Sequence, residues 1–212
     1  MSKVIRRSLA IRHEVLLIPT LFFFGVLFLL SSAEATAQVA FSTTVALNSN
    51  APTDTGEDFF PRMATDGAGN WVAVWESDDD LGGSIGIDCD ILVAVSADNG
   101  LTWSPVAALD PNAATDSGDD FDAHVATDGA GTWMATWEST EDVGGAIGVD
   151  VDILVATSVD NGSTWTTGIP LNSNADTDIG DDFYPATISA GSGVWVAVWE
   201  SLDDLGGTIR NG

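Results

Sequence analysis

The chain has 212 residues, with 32 Asp and Glu against 6 Lys and Arg, giving a formal net charge of −26 at pH 7. Such a surface repels nucleic acid and anionic lipid, so neither is an expected partner, whereas divalent cations, cationic partners or a salty medium suit it; plain solubility explains the charge equally well. The length allows one sizeable core or a short array of repeats, and a single cysteine, Cys89, excludes an intramolecular disulfide framework.

The chain opens with a basic lead, Lys3, Arg6, Arg7 and Arg12, followed by an uncharged, largely apolar run from Val15 to Leu30. Ala33-Glu34-Ala35 or Ala35-Thr36-Ala37 then offers a small-residue cleavage site, so residues 1–37 are expected to form a secretory signal peptide, cleaved after Ala37. A retained membrane anchor is the alternative, but the run is short for a span and Pro19 interrupts it. The expected location is extracellular or periplasmic, with no membrane attachment after cleavage. The mature chain would keep only Arg62 and Arg210 as cations and no lysine at all.

Beyond residue 37 the sequence repeats with a period of 62 residues, the spacing from Asp98 to Asp160. Asp54 to Phe59 (DTGEDF) matches Asp116 to Phe121 (DSGDDF) and Asp178 to Phe183 (DIGDDF). Trp71 to Ser77 (WVAVWES) matches Trp133 to Ser139 and Trp195 to Ser201, and all eight tryptophans fall on repeating positions. Each repeat divides into four strand candidates. Strand A covers Pro61–Thr65 and is closed by the turn Asp66-Gly67-Ala68-Gly69; strand B covers Trp71–Glu76, apolar on both faces; strand C covers Ile91–Ser96, rich in β-branched residues; strand D covers Thr102–Leu109.

Four short antiparallel strands per repeat, punctuated by aromatics and glycines, describe the blade of an all-β propeller. A β-sandwich is the competing all-β fold, and it leaves so long and regular a period unexplained. The expected organisation of residues 38–212 is a lone strand at 41–48, a blade at 59–110, a second at 121–172 and a partial blade at 183–212. Fewer than three blades cannot close a ring. The ending at Gly212, where another strand C is due, is read as that of a piece of a longer protein; pairing of two copies into six blades is the alternative. Open blade edges of this kind would favour self-association.

Connectivity places the D-to-A and B-to-C loops on one face of the array, and these loops are dense in acid. Asp78, Asp79, Asp80, Asp88 and Asp90 in the first blade, and Asp142, Asp150 and Asp152 in the second, surround glycine-rich stretches such as Leu81-Gly82-Gly83. Carboxylates this close repel one another unless protons or a cation intervene, and they are hard oxygen ligands suited to Ca²⁺. Their spacing matches no EF-hand loop, and a solvated acidic rim is the simpler alternative. Cys89 stands where the next repeat has Val151, so a buried structural thiol is expected there, with an intermolecular disulfide as the alternative.

The turn between strands C and D carries the motif Ser96, Asp98, Gly100 and Trp103 (SADNGLTW), which returns as Ser158, Asp160, Gly162 and Trp165 (SVDNGSTW). Asn and Gly tolerate positive φ, and the Asp carboxylate can accept hydrogen bonds from its own turn. This pattern resembles the Asp-box, the repeat of bacterial neuraminidases and other sialidase-like β-propellers. The resemblance implies a propeller fold, in which the Asp-box is a structural device away from the active site, so Asp98 and Asp160 are expected to hold turns.

Sialidases of that family bind the substrate carboxylate with three arginines and use a tyrosine–glutamate pair as nucleophile, with an aspartate as acid/base; bidentate guanidinium contact is the reason arginine is wanted. This chain offers Arg62, Arg210 and one tyrosine, Tyr184. Other Asp-box propellers hydrolyse neutral glucans with two carboxylates. Here nearly every acid has a repeat counterpart, and Glu76, Glu138 and Glu200 recur identically, which points to structure. Asp122, in place of Phe60 and Tyr184, and His124, in place of Arg62 and Ala186, break the repeat. No catalytic residue is assigned. The expected function is a secreted acidic propeller module that binds carbohydrate or protein, or scaffolds. The alternative is a piece of a sialidase-like or other glycoside hydrolase whose catalytic blades lie elsewhere.

Overall fold

The computed structural model describes residues 43–148 and 150–204. The chain divides into two compact units, Met1–Thr43 and Thr44–Gly212, and every described strand belongs to the second. The signal-peptide segment 1–37, Phe41, Arg210 and residues 205–212 lie outside the described residues. Among the described residues no helix is long and apolar enough to cross a membrane.

Among the described residues, ten strands form three antiparallel sheets. The first contains β1 (Asp58–Thr65), β2 (Trp71–Ser77), β3 (Asp90–Ser96) and β4 (Ala107–Ala108), in that spatial order. The second repeats it with β5 (Asp120–Thr127), β6 (Trp133–Ser139), β7 (Asp152–Ser158) and β8 (Ile169–Pro170). The third pairs β9 (Asp182–Gly191) with β10 (Val194–Ser201). Sequential four-stranded meanders packed side by side are propeller blades, two complete and one partial. A β-sandwich would instead interleave its strands into two facing sheets.

The strands follow from their residues. Val72 and Val74 in β2 and Trp133 and Trp137 in β6 are 0 % exposed, as expected of central strands whose two faces both pack. One cluster joins Val72, Val74, Val93 and Leu109 of the first blade to Ala123, Val125 and Trp137 of the second, so the core lies between blades as much as within them. A second cluster gathers Ala73, Trp75, Leu92 and Ala94 with the partly buried Leu47, Trp103 and Val106. The third blade shows the face its predecessors bury: Val196 and Val198, one period beyond Met134 and Thr136, are 51 % and 60 % exposed.

Two expectations change. The segment expected as strand D, Thr102–Leu109, pairs as a strand only at Ala107–Ala108. Its flanks still track β3 through Ser104 N to Val95 O at 2.8 Å and Leu109 N to Ile91 O at 2.7 Å. The second blade's strand D is equally short, at Ile169–Pro170, although Thr167 stands where the first blade has Pro105, so the shortening does not depend on the proline. The lone strand expected at 41–48 is not a strand over the described residues 43–48. Leu47 nevertheless packs against the cluster around Trp75.

Strand A of every blade carries a bulge that the sequence pattern does not reveal. The register of β1 against β2 shifts between Phe59 and Arg62, and that of β5 against β6 between Phe121 and His124. The residues responsible, Phe60, Asp122 and their third-blade counterpart Tyr184, have φ of 45°, 44° and 54°. A non-glycine residue held in that region stores strain unless its surroundings fix it.

Candidate functional site

The B-to-C loop of each blade and the link leading into the next blade meet at one end of the sheets. Gly86 N donates to Ala113 O at 2.9 Å, Asp120 N donates to Cys89 O at 2.8 Å, and Asp119 Oδ1 accepts from Cys89 N at 3.0 Å. The second junction repeats this, with Gly148 N to Ala175 O at 3.2 Å, Asp182 N to Val151 O at 2.7 Å and Val151 N to Asp181 Oδ1 at 3.1 Å. At the opposite end, Asn99 N donates to Gly69 O at 3.0 Å, joining the Asp-box turn to the A–B turn.

These backbone links bring carboxylates together. Asp88 and Asp90 meet Asp116, and Asp150 and Asp152 meet Asp178; in each group one ligand oxygen per residue lies within 4.8 Å of the others. Asp90 and Asp152 open β3 and β7 and are only 2 % and 1 % exposed. Burial first, then the neighbouring carboxylates, push both of them up to about 7, with Asp116 and Asp88 acting on Asp90, and Asp150 and Asp178 on Asp152. Asp116 rises to about 6 through burial and then Glu141 and Asp88. Asp178 is raised by burial and by Asp150.

Four of the acids expected as ligands stand outside these groups. Asp78 Oδ1 accepts from Glu57 N at 2.5 Å, Asp79 Oδ2 from Asn50 Nδ2 at 2.6 Å, Asp80 Oδ1 from Gly82 N at 2.9 Å and Asp142 Oδ1 from Gly144 N at 3.0 Å. Their carboxylates hold loop backbone or a neighbouring side chain. Asp116 and Asp178 take their place in the groups. The signal for them was present in the sequence, as the recurring Asp of the D-to-A loop.

The Asp-box residues lie together at each C–D turn. Asp98 Oδ1 accepts from Ser96 Oγ at 2.8 Å and Thr102 N at 2.8 Å, Asp98 Oδ2 accepts from Thr102 Oγ1 at 2.6 Å, and Gly100 N donates to Ser96 Oγ at 3.0 Å. These donors hold Asp98 down to about 2, those of Thr102 most of all. Asp160 is lowered in the same way by Thr164 and Ser158, and Trp165 Nε1 donates to Gly162 O at 3.0 Å. Trp103 is partly buried against Trp75 and its neighbours. The two aspartates thus spend their carboxylates on their own turns.

The residues that break the repeat also serve packing. Asp122 occupies the shared bulge, and its N–H donates to Glu76 Oε2 at 2.9 Å; Tyr184 N donates to Glu138 Oε1 at 2.6 Å. His124 Nδ1 accepts from Thr187 N in the third blade at 3.3 Å, and burial, then Arg62, lower the imidazole. Cys89 is half-buried rather than fully buried, and burial followed by Glu76 and Asp119 pushes its thiol up to about 12. It therefore stays protonated and is a poor nucleophile or soft-metal ligand. Arg62 is the only Lys or Arg among the described residues, and its Nη1 donates to Pro61 O at 3.3 Å.

No family model and no curated protein matches the chain. Among solved structures it is similar to the "Hadza microbial sialidase Hz136", at 18 % identity and a TM-score of 0.48, over 68 % of this chain and 32 % of that one. It is also similar to the α-L-arabinanase of Penicillium chrysogenum complexed with arabinobiose, at 14 % identity and TM-score 0.45, over 68 % and 39 % of the two chains. A third is the GH93 α-L-arabinofuranosidase of Fusarium graminearum with arabinobiose, at 13 % identity and TM-score 0.44, with the same coverage. The chain thus spans about a third of the first structure's length and two-fifths of the other two.

Proposed function

We propose that the chain is part of a secreted, acidic β-propeller that works by binding and scaffolding, with a carbohydrate or a protein as ligand. The observation that carries this reading is the duplicated use of its carboxylates. Glu76 and Glu138 each hold the bulge of the following blade, and Asp98 and Asp160 each hold their own turn. A glycosidase needs two carboxylates pushed into different protonation states by different surroundings. Recurrent positions with matched partners supply equal surroundings instead.

Charge narrows the ligand. With Arg62 as the sole Lys or Arg among the described residues, no cluster of guanidinium groups is available there to clamp an anionic sugar. Neutral glycans and cationic protein surfaces suit the acidic loop face. Secretion rests on the sequence of residues 1–37.

The test combines two assays on the same preparation. Aryl glycosides of sialic acid, α-L-arabinofuranose and β-glucose are offered for hydrolysis, and immobilised neutral polysaccharides and a basic protein are offered for binding. Retention on one of the binding surfaces without release of the aryl group is expected. Turnover by the chain would overturn the reading.

A further inference from the structure

The two carboxylate groups at the blade junctions are the feature that packing does not explain. Asp88 Oδ2, Asp90 Oδ2 and Asp116 Oδ1 are all buried and have no hydrogen-bond partner; so are Asp150 Oδ2, Asp152 Oδ2 and Asp178 Oδ1 in the second group. A buried carboxylate oxygen without a donor is costly, and three converging from two segments are costlier. The same three atoms are in the same condition one period apart, at both junctions. We propose that each junction binds a divalent cation, Ca²⁺ by the chemistry of its ligands, one at Asp88, Asp90 and Asp116 and one at Asp150, Asp152 and Asp178.

The ligand set selects the ion. All donors are hard carboxylate oxygens, which suit Ca²⁺ and Mg²⁺; Ca²⁺ accepts the irregular geometry that a loop and a strand end provide, whereas Mg²⁺ demands a near-ideal octahedron and keeps its waters. A softer metal would want the thiol of Cys89, but Val151 holds that place in the second site. The two sites are not identical. Asn172 Nδ2 donates to Asp178 Oδ2 at 3.2 Å in the second, while the equivalent residue in the first is Asp110, whose Oδ2 accepts from Gly168 N at 2.7 Å. The first site therefore carries one more acidic neighbour and binds the ion more tightly.

The ligands also come from two repeats. Asp88 and Asp90 belong to one blade, and Asp116 to the link that starts the next. A bound ion therefore pins neighbouring blades together, and it does so whatever the propeller binds.

The test uses the full chain, stripped with chelator and dialysed. Tb³⁺ luminescence and thermal unfolding are followed in Ca²⁺, in Mg²⁺ and in NaCl of matched ionic strength. Two bound Ca²⁺ per chain and a rise in melting temperature of roughly 5 °C or more are expected at millimolar Ca²⁺. Asp90→Asn and Asp152→Asn should each remove one ion. Because they relieve repulsion, the ion-free variants should melt no lower than the ion-free parent, which separates lost binding from lost folding. An equal rise in matched NaCl would mean screening of net charge and would overturn the proposal. So would no binding in millimolar Ca²⁺.

Discussion

The carboxylate of Glu76 in β2 accepts a hydrogen bond from the backbone N–H of Asp122 in β5 at 2.9 Å, so a side chain of one blade closes the bulge of the next. The contact recurs between Glu138 and Tyr184 at 2.6 Å. It explains how a left-handed, non-glycine residue is held in β5 and in β9, and why Glu recurs at positions 76 and 138. Glu76→Ala leaves a part-buried N–H without its partner and should cost about 1–3 kcal/mol, whereas Glu76→Gln keeps an acceptor and should cost less than about 1 kcal/mol. Urea unfolding of the two variants checks the difference; equal losses would show that the hydrogen bond does not hold the bulge.

Gly162 of the second Asp-box presses on the first blade. A methyl group placed on it would lie 2.5 Å from Val72 Cγ2 and 3.0 Å from Val95 Cγ1, and its φ is 82°. Gly100, at φ 79°, meets only the Trp103 ring, at 3.8 Å. Gly100→Ala should therefore cost the left-handed strain alone, about 1–2 kcal/mol, while Gly162→Ala adds overpacking for roughly 2–5 kcal/mol in total. Denaturant melts of the pair provide the comparison, and equal costs would mean that the blades do not pack as described.

Asp98 is held down to about 2 from an ordinary 3.8, chiefly by Thr102. A depressed folded-state value means that its contribution to stability is full above the ordinary value and is lost as the pH falls toward 2. Thr102→Val removes the 2.6 Å bond from Thr102 Oγ1. The carboxyl carbon of Asp98, followed by NMR, should then titrate at higher pH than in the parent. An unchanged midpoint would show that the turn does not rely on that hydroxyl.

Much of this architecture is written in the sequence because the repeat imposes it. The 62-residue period locates the blades, and the Asp-Asn-Gly turns locate the C–D corners; Asn99 and Asn161 do take φ of 62° and 60°. Strand D is shorter than its composition suggests in both blades, with Pro105 ahead of it in one and Thr167 in the other. The bulge is invisible in the sequence because Phe60, Asp122 and Tyr184 share a backbone conformation and no side-chain property. The acidic groups are half legible. Asp88, Asp90, Asp150 and Asp152 stand out by clustering along the chain, but Asp116 and Asp178 join them only through the fold. Asp78, Asp79, Asp80 and Asp142 look equivalent in sequence, and only their local hydrogen bonds set them apart.

Carboxylates that tie one blade to the next are central to this structure, and hydrogen exchange at two amides tests their role most directly. Asp122 and Tyr184 sit in bulges, where amides ordinarily exchange fast, yet their bonds to Glu76 and Glu138 should protect both. Glu76→Ala should release the Asp122 amide while Tyr184 stays protected. Fast exchange of both amides in the parent chain would contradict that role.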